Sequence, residues 1–99
     1  MQKTVNDFIK KYSLETAPEI RYIDLVSEIG ELGKEILKGN NYGKDNLNFT
    51  DNLESEIGDS LFSLLAMCNE LDIDANTSLK KVIDKYENRF KEKGHVGSN

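Results

Sequence analysis

Apolar residues three and four positions apart run through almost the whole of this chain, and that spacing fits one kind of secondary structure. Leu25, Ile29, Leu32 and Ile36 follow it, as do Leu53, Ile57, Leu61, Leu64 and Cys68, and then Leu79, Val82, Ile83, Tyr86 and Phe90. Period-two alternation is scarce, and there is one proline. The pattern predicts an all-α fold, an antiparallel helical bundle of four main helices in one domain over residues 1–93, with 94–99 as a flexible tail. The first helix is expected from about Thr4 to Tyr12 and the second from Pro18 to Lys38, with Thr16 as a cap candidate and the proline in the first turn. Gly39 ends the second helix, and the Asn- and Gly-rich stretch from Asn40 to Phe49 is the one substantial loop. Thr50 or Asp51 caps a third helix reaching Leu71, and Asp74 caps a fourth that stops before Gly94.

Composition narrows the partners. With 99 residues and a formal net charge of -5, the chain carries no Lys/Arg run longer than two, so a nucleic-acid backbone is not expected as a partner. No stretch of 18 apolar residues and no signal-peptide h-region occurs, so neither a membrane span nor secretion is expected, and the location is read as cytoplasmic. The lone cysteine, Cys68, lies in an apolar run and suits a core position in a reducing compartment.

One five-residue string appears twice, as Ser27-Glu28-Ile29-Gly30-Glu31 and as Ser55-Glu56-Ile57-Gly58-Asp59. At about 100° per residue, Asp24, Glu31 and Glu35 fall within about 60° of Glu28, with Leu25, Ile29, Leu32 and Ile36 on the adjoining arc. The same projection from Glu56 puts Asp59 about 60° to one side and Leu53, Ile57, Leu61, Leu64 and Cys68 on the other. The carboxylates therefore line the edge of an apolar face, whereas a merely solvated set would lie opposite it. Like charges three apart and a mid-helix glycine both destabilise a helix, by a few tenths and by roughly 1 kcal/mol respectively. A divalent cation accounts for the first cost, because hard cations take oxygen ligands, and close approach by a helix or ligand accounts for the second at Gly30 and Gly58. A single such motif is ordinary solvated-helix sequence; two matched copies imply four converging ligands, Glu28, Glu31, Glu56 and Asp59.

Lys81, Lys85 and Arg89 recur every four residues beside the apolar arc of the fourth helix, where they face a phosphate or simply complement the helix dipole. Two other patterns fail on chemistry. Asp72-Ile73-Asp74-Ala75-Asn76 begins like a calcium loop, but Thr77 replaces the turn glycine and Ile83 falls where a bidentate glutamate is needed. A di-iron site requires Glu-x-x-His pairs, and the one histidine, His95, lies in the tail.

The E-x-x-E of one helix followed by E-x-x-D on the next resembles the MazG-like all-α nucleotide pyrophosphohydrolases. Leu25 to Leu32, Glu56 to Phe62, Leu71 to Asp74 and Lys85 to Phe90 match that family's pattern in order, so the likeness covers roughly residues 20 to 91. It implies hydrolysis of a nucleoside or deoxynucleoside triphosphate to monophosphate and pyrophosphate, as in house-cleaning of the nucleotide pool. Mg²⁺, or Mn²⁺ in its place, would be held at Glu28, Glu31, Glu56 and Asp59, with Lys85 and Arg89 as the phosphate-binding pair. The chain departs from many members at Ser27, where a second acid is common, and at Ala66, where an asparagine is common. The likeness also implies a homodimer or dimer of dimers with the site near a subunit interface, and leftover apolar residues outside the main arcs, Ile23, Phe62 and Ala66, point the same way. The competing reading is a non-catalytic helical metal-binding or partner-binding module whose acidic stripes are only solvated.

Overall fold

A computed structural model describes residues 1–93 and contains four helices: α1 (Gln2–Lys11), α2 (Pro18–Gly39), α3 (Asp51–Glu70) and α4 (Ala75–Lys93). The chain is all-α, as the apolar spacing predicts, and the tail from residue 94 lies outside the described residues. The boundaries agree closely except at α1, which begins at Gln2, two residues before the expected start. Thr50 caps α3 by accepting a hydrogen bond from the Leu53 amide at 3.1 Å, and Asp74 caps α4 through the Thr77 amide at 2.9 Å. The expectation for Thr16 is corrected: α2 starts from Ala17 with no side-chain cap. Pro18 at the first turn needs no amide partner there, and the Thr16 amide instead donates to Glu70 Oε1 at 3.4 Å.

The α2–α3 hairpin is the packed heart of the chain. Along α2 the positions withdrawn from solvent are 18, 21, 25, 28, 32, 35 and 39, and along α3 the run 53, 56, 60, 63, 67 and 70 faces back. Spacing that alternates three and four is the signature of two helices meshed along one seam at a shallow crossing angle. The seam is unusual in content. Leu25, Leu32 and Leu53 are joined in it by Glu28, Glu35 and Glu56, and the small buried Ser60 and Ser63 let the helices come close. The hairpin turn depends on Gly39, where a Cβ would lie 2.9 Å from Leu47 and 3.1 Å from the Asn48 carbonyl oxygen.

α1 packs on the flank of α3 that points away from α2. Ile9 is 2% exposed, Ala66 is fully buried, and Phe8 meets Phe62 edge-on with centroids 5.9 Å apart. Phe62 and Ala66 were read as a face left over for a second subunit; α1 lies against Phe62, and Ala66 is buried within the chain. Part of each main apolar arc is left open instead: Leu25, Leu32 and Leu53 enter the seam, but Ile29, Ile36, Ile57, Leu61 and Leu64 are exposed.

α4 is fastened at its first turn and then departs. Gln2 is the fastener: its Oε1 accepts from the Ala75 amide at 2.7 Å, its Nε2 donates to the Ile73 carbonyl at 2.6 Å, and its own carbonyl accepts from Asn69. Leu79 still borders a hollow with Leu61, Leu64 and Leu65, but beyond it, among the described residues, α4 has no extensive contact with α2 or α3. Leu79, Ile83, Tyr86 and Phe90 stay exposed in consequence. The radius of gyration is 16.8 Å, against about 13 Å for a compact domain of this length. Accessible surface is 7426 Å², against roughly 5,700 Å² expected for a compact chain of this mass.

Because Ile9 fills the α1–α3 contact, Ile9→Ala should lower unfolding free energy by about 2–5 kcal/mol, measured as a reduced urea midpoint with an unchanged slope.

Candidate metal and phosphate site

The repeated string places its acids through the seam. Glu28 and Glu56 occupy equivalent positions on α2 and α3 and face each other across the hairpin, half-buried, while Asp59, one turn along α3, is exposed at the rim. One carboxylate oxygen from each of Glu28, Glu56 and Asp59 lies within 4.8 Å of the other two, the grouping of acids among the described residues close enough to share one cation. Glu31 lies one turn along α2 and outside that trio; its side chain is half exposed and 3.8 Å from Lys34. The structure thus gathers three of the four predicted acids and sets the fourth on the rim of the same cleft.

Electrostatics mark Glu56 as the strained member. Burial pushes its carboxyl above the usual range, and the negative charges of Asp59, Glu28 and Glu31 push it further. Its Oε2 is shut off from solvent and has no hydrogen-bond partner. A shielded acceptor among carboxylates is a place where a cation would fit, and an all-oxygen donor set suits a hard divalent ion. The backbone beneath is orderly. Ser60 Oγ donates to the Glu56 carbonyl oxygen at 2.9 Å, which keeps the seam-facing hydroxyl satisfied. No role was assigned to Ser60 or Ser63 from sequence, although projection places both on the carboxylate side of α3.

Glu35 extends the acid line one turn beyond Glu31. Its side chain is 16% exposed and lies 3.7 Å from Lys38, so it is a covered acid with its own cation, not a fourth member of the trio.

The predicted cations lie elsewhere. Lys81, Lys85 and Arg89 are on α4, which among the described residues has no extensive contact with α2, so they are not gathered with the carboxylate trio. Lys85 Nζ and the Arg89 guanidinium lie 5.3 and 6.0 Å from the centre of the Tyr86 ring, which orders both on one flank of the helix. At the other end of the cleft the α2–α3 loop carries exposed aromatics, Tyr42 and Phe49, with Asn41, Tyr42 and Gly43 all in left-handed backbone.

Among known proteins, the MazG nucleotide pyrophosphohydrolase domain matches residues 18–93. That span contains α2, α3 and α4, and with them every acid and cation named above. A Bacillus subtilis (strain 168) protein called "Uncharacterized protein YpjD" is 35% identical over 72 residues, covering 70% of this chain and 63% of that protein. The chain therefore spans less than two thirds of this relative's length. No solved structure matches. No helix among the described residues is long and apolar enough to cross a membrane. With three-quarters of its length matched, including both copies of the acidic string, the chain belongs to the MazG nucleotide pyrophosphohydrolase family.

Proposed function

We propose that this protein hydrolyses nucleoside or deoxynucleoside triphosphates to the monophosphate and pyrophosphate, working as a homo-oligomer. The observation that carries the reading is the carboxylate trio of Glu28, Glu56 and Asp59, with an orphaned oxygen on Glu56, inside the matched domain. These three, with Glu31 beside them, would hold Mg²⁺ or Mn²⁺, which supplies charge neutralisation of the triphosphate and a more acidic water. Water attacks the α-phosphorus, the bond from that phosphorus to the bridging oxygen of the β-phosphate breaks, and pyrophosphate leaves. The proton of the attacking water passes to a carboxylate of the cleft acting as general base. Lys85 and Arg89, helped by Lys81, bind the phosphates and offset charge in the transition state. Tyr42 and Phe49, exposed on the α2–α3 loop, offer ring faces to the base.

The oligomer rests on uncovered surface. An excess of about 1,700 Å² over a compact chain, doubled across two copies, falls among obligate interfaces. The exposed arcs of α2, α3 and α4 are the surface to be covered. Light scattering should give at least twice the mass of 11.2 kDa; a stable monomer at micromolar concentration would contradict this.

Mg²⁺ should raise the melting temperature of the wild type. Glu56→Gln removes one of the repelling charges, so its metal-free melting temperature should rise while its response to Mg²⁺ disappears, as followed by circular dichroism. The same variant should lose Mg²⁺-dependent pyrophosphate release by at least a hundredfold across a panel of ribo- and deoxyribonucleotides. Turnover equal to wild type would refute the assignment.

A further inference from the structure

α4 joins the rest of the chain in a way that leaves its direction to one side chain. The turn from Leu71 to Asp74 passes through left-handed Asp72, and Asp74 caps α4 through the Thr77 amide, a bond local to the helix start that sets no angle to its neighbours. Apolar packing adds little. Beneath Leu79 lies a hollow of about 250 Å³ bordered by Met1, Leu61, Leu64 and Leu65, and Leu79 itself is 59% exposed. The helix therefore has room to tilt at its root.

Gln2 removes that freedom. The Ala75 amide is one of those that a helix start leaves without a partner in its own helix, and Gln2 Oε1 accepts from it at 2.7 Å. Nε2 of the same side chain donates to the Ile73 carbonyl oxygen at 2.6 Å, and the Gln2 carbonyl oxygen accepts from Asn69 Nδ2 at 3.3 Å. The end of α3, the turn and the first residue of α4 are thus tied to a single residue of α1. Both ends of the Gln2 amide are engaged, which fixes its plane. A water on the Ala75 amide would satisfy it as well, but would impose no direction.

Direction matters because the cations lie far from the root. Lys85 and Arg89 stand about 15 and about 21 Å along α4 from Ala75, so a tilt of about 10° carries them roughly 3 and 4 Å sideways. Misplacing a substrate-orienting group by about 1 Å can cost on the order of a hundredfold in rate.

We infer that Gln2 is a positioning residue for the reaction: through Ile73 and Ala75 it aims α4, and so places Lys85 and Arg89 for the phosphates, whichever copy's carboxylates they serve. This rests on the phosphate-binding reading of that pair. Gln2 lies outside residues 18–93, so the device is carried by α1 and not by the matched domain.

Gln2→Met keeps the length of the side chain and its helix propensity but lacks the amide's donor and acceptor. Its KM for the triphosphate should rise at least fivefold, with a smaller change in kcat, because phosphate contacts present in both ground and transition states act on KM. The melting shift with Mg²⁺ should stay that of wild type; its loss would mean that Gln2 acts on the fold or the metal site at large, and would overturn the inference. A cycle separates aiming from general stability. Calorimetric affinity for the α,β-methylene analogue of the nucleotide turned over should fall at least fivefold in Gln2→Met. Added to Lys85→Ala/Arg89→Ala, the same substitution should cost less than a further twofold, and equal losses in both backgrounds would overturn the inference. By NMR, the Ala75 amide should exchange at least tenfold faster in Gln2→Met while amides of the α2–α3 hairpin keep their rates; an unchanged Ala75 rate counts against the tie itself. An active wild type with unchanged KM in Gln2→Met overturns this inference alone, whereas a wild type that releases no pyrophosphate overturns the hydrolase reading and this inference with it.

Discussion

Two glutamates face each other inside a helix–helix seam, and most of the structure follows from tolerating that. Glu28 and Glu56 occupy positions that a leucine would take in an ordinary hairpin, with Asp59 beside them, and mutual repulsion works against closure. Closure is held by what surrounds them: Leu25, Leu32 and Leu53 in the same seam, Ser60 and Ser63 allowing close approach, and Gly39 letting the loop fold back tightly. The cost appears at Glu56, whose carboxyl is pushed toward its neutral form by burial first and by its acidic neighbours second. A hydrophobic seam would be more stable and would hold nothing.

Much of this was readable in the residues because periodicity and chemistry coincided. The spacing of three and four gave helices, the Asn/Gly cluster gave the loop, and the duplicated string put two acids at matching angles on neighbouring helices. Other features were not readable, for identifiable reasons. Projection ranks positions around one helix but not which neighbour covers them; Phe62 and Ala66 were therefore read as free when α1 occupies that side of α3. The departure of α4 depends on Gln2, a polar residue at the chain start whose side chain bridges to Ile73 and Ala75, and nothing in local pattern foretells a bond across so much sequence. Gly30 and Gly58 invite a close-approach argument that holds only for a ligand or another molecule, since among the described residues nothing beyond the local helix backbone lies within 4 Å of a Cβ built there.

α1 and the α2–α3 hairpin divide the labour. The matched family domain begins at Pro18, so α1 lies outside it, yet α1 contributes Ile9 to the core, covers Phe62 and supplies Gln2 at the root of α4. It acts as a brace: it buries one flank of α3, borders the edge of the α3 apolar arc at Leu61 and Leu64, leaves the α2–α3 seam to those two helices, and holds the first turn of α4.

Separating charge of opposite sign onto different helices has a physical rationale. Had Lys85 and Arg89 lain in the seam, they would have paired directly with Glu28, Glu56 and Asp59, satisfying the oxygens and closing the cleft. The acids that do have cations in their own chain illustrate this: Glu35 is covered and lies near Lys38, and Glu31 lies near Lys34 at the rim, while the trio between α2 and α3 has no such neighbour within ion-pair distance among the described residues. With the basic stripe set apart on α4, the trio keeps charge that, on the reading proposed above, a cation and an anionic ligand would offset together.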